Sequence, residues 1–187
     1  RMGLVLFGSQ AFLQSPLTYD LNTVNNLLAE SEIGMAGNNT AIGDAIGLTL
    51  KHLRQQQQTH AVLILLTDGS NTGGVNPLDA ANMAQKMAVK IYTIGVGQAS
   101  SNPFSPSRTD MDEVTLSEIA QRTGGQFFRA NNTAELEQIY QQIDQLEAVE
   151  HQVFSYRLRS ELYVWPMGAA LLLSFWLAWR IIRKAGG

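Results

Sequence analysis

The chain has 187 residues, 45% of them hydrophobic and 16% charged, enough apolar side chain for a packed core and a composition unlike that of disordered chains. A net charge of -3, with no basic stripe interleaved with aromatics, argues against a nucleic-acid partner. Cysteine is absent, which excludes disulfides, thiolate metal sites and thiol catalysis without deciding the compartment.

In chain order, the first signal is Gly3-Leu-Val-Leu-Phe7, an apolar run that reads as a buried strand and is closed by Gly8-Ser9. It follows Arg1 with almost no lead-in, so further sequence is expected ahead of it. Leu21–Leu28 reads as a short helix with Asp20 at its N-cap. Ala41–Leu53 is a second helix, with Ile42, Ile46, Leu50 and Leu53 on one face. Ala61–Thr67 is a continuous apolar run ending at Asp68-Gly69, the pattern of a strand buried on both faces.

Pro77–Val89 reads as a helix with proline in its first turn, and Lys90–Gly95 as a strand. Thr115–Arg122 is a helix stopped by Gly124-Gly125, and Gln126–Arg129 a short strand. Thr133 then caps a helix whose inner stripe is Leu136, Ile139, Tyr140, Ile143 and Leu146. This alternation predicts an α/β fold: a doubly wound, mostly parallel sheet flanked by helices, spanning residues 1–147.

Residues 148–161 read as a juxtamembrane connector and 162–182 as a transmembrane helix. Leu162 to Trp179 contains no charged residue, and at about 1.5 Å per residue it reaches roughly 27 Å, close to a hydrocarbon core of about 30 Å. Tyr163 and Trp165 stand near one end, Trp176 and Trp179 near the other, as interfacial aromatics do. Arg180, Arg183 and Lys184 after the segment outnumber Arg157 and Arg159 before it, which favours a cytoplasmic C-terminus and an external globular domain.

In open α/β sheets ligands bind beyond the carboxyl ends of the strands. Gly8-Ser9, Thr67–Thr72 and Gly95-Val-Gly97 should meet there. Asp68 follows six apolar residues, so its carboxylate stands at the rim on a rigid support; Asp-Gly is also ordinary turn chemistry. Thr40 offers a loop hydroxyl just before a helix, and is equally an N-cap for that helix. Together, a carboxylate and a hydroxyl suit a hard cation such as magnesium, which keeps several waters.

Those two loops carry a resemblance. NNTAIGDAI around Thr40 resembles the threonine loop of von Willebrand factor A (VWA) domains, and LLTDGSN around Asp68 resembles their strand–aspartate–glycine motif. Arg1–Phe7 resembles the opening strand of that family, and FLQSPLT at 12–18, IYTIGVG at 91–97 and the run DEVTLSEIAQRTGGQFFRA at 112–130 are similar to the Bat (aerotolerance) branch of bacterial membrane VWA proteins. The resemblance covers Arg1 to about Leu146 in order.

It implies a Rossmann-like VWA fold and a metal-ion-dependent adhesion site in which Thr40 and Asp68 bind Mg2+ or Mn2+. The family's third metal loop, Asp-x-Ser-x-Ser, is not found at the required place in this chain. It further implies a protein partner offering an acidic side chain to the metal, with other membrane VWA or envelope proteins as candidates. Loops flanking the site would tune that choice through Ser9, Asn39, Ser70 and Asn71, and 98–108 is a candidate contact loop. The expected role is a non-enzymatic interaction module in a bacterial inner-membrane complex, its globular domain periplasmic.

Two other function classes stay open on the residues alone. A metal-independent membrane scaffold would need none of these groups. A magnesium-dependent hydrolase could pair Asp68 with Asp110, Asp112 or Glu113, although those acids more simply cap the Thr115 helix. Gly95-Val-Gly97 lacks the third glycine and the helix of a dinucleotide fingerprint.

Overall fold

The computed structural model describes residues 1–58, 60–97 and 112–151, together with Ser174, Trp176 and Trp179. The chain divides into two compact units, Arg1–Asp144 and Gln145–Gly187. In the first unit, strand β1 (Met2–Phe7) pairs antiparallel with β2 (Ala11–Thr18), and helices α1 (Leu21–Ala29) and α2 (Ile42–Gln55) follow. Then β3 (Ala61–Thr67), α3 (Pro77–Lys86), β4 (Val89–Val96), α4 (Glu113–Thr123) and β5 (Phe127–Ala130) build a parallel sheet of order β3-β4-β5. Helix α5 (Thr133–His151) begins in this unit and runs into the second. Ser174, Trp176 and Trp179 in the second unit are helical.

The parallel sheet flanked by helices is the α/β architecture that the strand–helix alternation predicts. It differs in one respect: β1 and β2 form a separate two-stranded sheet, and β2 is a strand that the periodicity did not single out. Pro16 sits inside β2 and removes one donor, and β1 pairs with β2 through an irregular register between Met2 and Val5, so neither strand carries a clean two-residue alternation.

Helix α2 does most to fix the core. Ile42, Ile46, Leu50 and Leu53 are buried along the predicted face, with Ile46 fully so, each contributing on the order of 2 kcal/mol of burial. They pack with Leu65 and Ile91 of the parallel sheet and with Phe7 and Leu17 of the hairpin, so one core serves both sheets. A second cluster forms where Ile139 and Ile143 of α5 cover Tyr92, Ile94 and Ala130. Of the predicted α5 stripe, Tyr140 and Leu146 stay largely exposed.

Strand β3 departs from its prediction. Leu65 and Thr67 are buried, but Val62, Ile64 and Leu66 are 37–40% exposed on the alternate face. The reason is position: β3 is the edge of its sheet, and the α5 residues that cover this face pack on β4 and β5. Helix α3 ends three residues before its predicted limit because Ala88 takes φ 54°, and Val89 already begins β4. Asp20 caps α1 by accepting from the Thr23 amide, as predicted. Asp112 caps α4 and Gly124, at φ 78°, closes it. The α5 cap is Asn132, which accepts from the Glu135 amide; Thr133 is the first helical residue.

Among the described residues no helix is long and apolar enough to cross a membrane. The predicted span 162–182 lies outside the described residues except for the three named above, as do all but the start of the connector and the loop 98–108.

Candidate functional site

Asp68 follows β3 at the carboxyl rim and is exposed. Its loop is closed behind it by Thr67, which is buried: the Gly69 amide donates to Thr67 Oγ1 (3.3 Å), and that hydroxyl donates to the Gly69 carbonyl (3.2 Å). A side chain hydrogen-bonding the backbone two residues on is a local turn that needs no distant partner, so the sequence alone suffices to form it.

Thr40 ends the loop between α1 and α2 and is half-buried. It is not the cap that its position suggested: α2 is capped at Ala41 with no side-chain bond from the capping residue. Instead the first α2 amide, that of Ile42, donates to Asn71 Oδ1 (2.9 Å) from the aspartate loop. The Thr40 hydroxyl therefore has no capping duty. It lies 3.5 Å from where a Cβ on Gly69 would stand, so the two predicted metal ligands come from loops in contact. Among the described residues, neither the Thr40 hydroxyl nor the Asp68 carboxylate is held by a hydrogen bond.

The loops are laced at successive points. Thr72 Oγ1 accepts from the Thr40 amide (2.8 Å), and the Thr72 amide donates to the Thr40 carbonyl (2.9 Å). Asp44 Oδ1, one turn into α2, accepts from the Val75 amide (2.9 Å). On the other flank the β1–β2 turn grips the same loop. The Ala41 amide donates to the Gly8 carbonyl (2.8 Å), the Asn39 amide to Ser9 Oγ (3.2 Å), and the Gln10 amide to the Ala36 carbonyl (3.2 Å). Gly8 is needed there, since a Cβ would stand 2.6 Å from the Ala36 oxygen.

Of the residues expected at a partner surface, Ser9 and Asn71 thus brace the threonine loop, Asn39 is exposed beside it, and Ser70 is half-buried next to Asp68. Asp44 was not singled out from the sequence, and Thr72 only as the last residue of the rim segment Thr67–Thr72. Their signal was faint, a hydroxyl and an acid in glycine-flanked positions, and only the approach of two loops about thirty residues apart gives them a role.

Farther along the rim, Thr67 pairs with Gly95 and Gly95 with Arg129, so the three stand in one row across the sheet. Arg129 forms an ion pair with Glu113, at the start of α4. Glu113 is thereby tied to Arg129, and Asp112 to the α4 cap; Asp110 lies outside the described residues.

The donor set suits a hard divalent cation in kind: a carboxylate and a hydroxyl, both oxygen, in a chain without cysteine. It is short in number, since no group of three or more His, Cys, Asp or Glu among the described residues could hold a metal. Asp68 and Thr40 by themselves offer two oxygen donors, fewer than a hard divalent cation takes.

Residues 1–142 match the von Willebrand factor type A domain. An uncharacterized protein of Borreliella burgdorferi is 30% identical over 167 residues, covering 82% of this chain and 48% of its own, so the chain spans about half the length of that relative. An aerotolerance-related membrane protein from Bacteroides fragilis superposes with a TM-score of 0.61 at 27% identity, over 76% of this chain and 78% of that one. The conserved hypothetical protein BatB from Bacteroides thetaiotaomicron gives the same TM-score and identity, over 78% of each. With the threonine and aspartate loops juxtaposed on a parallel α/β sheet, the chain belongs to the von Willebrand factor type A domain family, and its likeness extends to Bat-type members.

Proposed function

We propose that this chain is a membrane-anchored VWA module that holds Mg2+ or Mn2+ through Asp68 and Thr40 and, through that ion, grips an acidic side chain of a partner protein. The observation that carries this reading is the contact between the two ligand-bearing loops, with Thr40 Oγ1 3.5 Å from the Gly69 Cβ position and released from helix capping. When bound, such an ion supplies an electrophilic open position that a carboxylate can fill. The chain's own residues do the rest. Asp68 offers charge at an exposed rim, Thr40 a neutral oxygen, and Ser70 and Asn39 line the approach.

Binding rather than turnover is the reading that the acids near the rim support. Asp112 is engaged in capping and Glu113 in its ion pair with Arg129, so neither of these two acids stands free as a general base for Asp68. Each sheet ends on an edge strand, β1 and β3, unpaired on that side among the described residues. In this reading a further strand joins those edges, satisfies their backbone groups and carries the Asp-x-Ser-x-Ser loop that completes the shell. Residues 162–182 anchor the module in a bacterial inner membrane with the VWA domain outside, and the partners are envelope proteins, other membrane VWA proteins among them.

The test is a calorimetric titration of the full-length protein with Mn2+ and Mg2+, beside Asp68→Ala. Saturable binding lost in the variant is expected. A folded wild-type protein that takes up neither ion would replace this reading with a metal-independent scaffold, and magnesium-dependent phosphoester cleavage lost with Asp68 would replace it with a hydrolase.

A further inference from the structure

The Thr40 hydroxyl can serve as a ligand only if its backbone is fixed against the Asp68 loop, and the structure supplies a specific device for this. One residue, Thr72, engages both polar backbone groups of Thr40: its hydroxyl accepts from the Thr40 amide (2.8 Å) and its amide donates to the Thr40 carbonyl (2.9 Å). Thr72 stands four residues beyond Asp68 in the same loop, so a single short segment carries both the carboxylate and the clasp on its hydroxyl partner. Behind it, Asn71 Oδ1 accepts from the Ile42 amide and Asp44 Oδ1 from the Val75 amide, a ladder of contacts that leaves the two loops little freedom to slide.

From this geometry we infer that Thr72 is a positioning residue for the metal centre, setting the separation of the Thr40 and Asp68 oxygens through a two-bond clasp on Thr40. The inference rests on the metal reading above and adds a residue that touches neither ion nor partner. Its chemistry is specific. The Thr72 Oγ1 acts as an acceptor toward an amide, so valine, of the same shape, removes the clasp's oxygen while serine keeps it. Residues that orient the groups bound to a metal typically cost about 10–100-fold in metal affinity when removed.

Mn2+ affinity of the full-length protein, measured by calorimetry for wild type, Thr72→Val, Thr72→Ser and Asp68→Ala, tests the clasp, with thermal midpoints taken with and without Mn2+. The expected result is near wild-type affinity for Thr72→Ser, a loss of about tenfold or more for Thr72→Val, and a drop in midpoint for Thr72→Val that is larger with Mn2+ than without. A merely structural threonine would lower both midpoints equally. Wild-type affinity in Thr72→Val, with binding lost in Asp68→Ala, overturns the clasp and leaves the metal reading standing. Failure of the wild-type protein to bind overturns both. If Thr72→Val does not fold, Asn71→Ala decides: tenfold weaker binding supports the ladder, and unchanged affinity overturns it.

Discussion

The carbonyl oxygen of Val75 packs onto the bare Cα of Gly43, so closely that a Cβ on Gly43 would stand 2.0 Å from it. Gly43 is buried in the first turn of α2, and Val75 ends the loop that began at Asp68. This contact brings the helix that follows Thr40 against the loop that follows Asp68.

Gly43→Ala is therefore expected to destabilise the protein by about 1–3 kcal/mol, because backbone has to move and the loop cannot yield as a side chain would. Gly47, one turn along the same helix, has open space around its Cβ position. Gly47→Ala should instead stabilise by about 0.5–1 kcal/mol through helix propensity and unfolded-state entropy. Urea denaturation of the two variants checks the pair, and equal effects would rule out the close approach.

The ends of α4 make a second prediction. Asp112 accepts from the Thr115 amide at 3.0 Å, and Gly124 closes the helix at φ 78°. Asp112→Ala should cost about 1 kcal/mol and Asp112→Asn much less, since asparagine also caps. Gly124→Ala should cost about 1–2 kcal/mol for placing a Cβ in the left-handed region. Thermal denaturation midpoints provide the measurement.

Stability should fall in acid partly through Glu135. Donation from the Asn131 amide, then from the Asn131 and Asn132 side chains, holds its carboxyl below the usual glutamate range. A lowered folded-state value means that the ionised form is favoured by folding. The contribution is present above the ordinary glutamate value and is lost as pH falls through the lowered one. Glu135→Gln should thus be less stable than wild type at neutral pH, with the gap closing as the pH falls below the ordinary glutamate range. A difference that stays constant across that window would refute the assignment.

Burial separates an isoleucine of a helix from that of an edge strand. Ile46 is fully buried, and Ile46→Ala should cost about 2–5 kcal/mol. Ile64 lies on the open face of β3 at 37% exposed, so Ile64→Ala should cost less than about half as much, as read by denaturant titration.

Much of this was legible in the chain. Ala61–Thr67 was found residue for residue because a continuous apolar run bounded by His60 and Asp68-Gly69 has one reading at that length. The buried face of α2 followed from its spacing, and the ends of α1 and α4 from Asp20 and Gly124-Gly125. Strand β2 was missed because Gln14, Ser15 and Pro16 break its alternation, and antiparallel pairing with β1 overrides that local weakness. The open face of β3 was missed because apolar composition records what a side chain prefers, whereas burial depends on which neighbours arrive.

Asp68 and Thr40 were visible as candidates because a polar residue at a strand end or helix start is a local feature. Most of the elements, the buried face of α2 and the chemical kind of the candidate ligands could be read from the chain alone, since these follow from side-chain periodicity and short-range turn bonding. That the two loops touch, that the first α2 amide donates to Asn71 rather than to Thr40, and that Thr72 clasps Thr40 emerge from the folded chain alone. Those are contacts between segments about thirty residues apart. Hydrogen bonds across such separations leave no periodic mark in the chain, and arise only when a shared core draws the loops together.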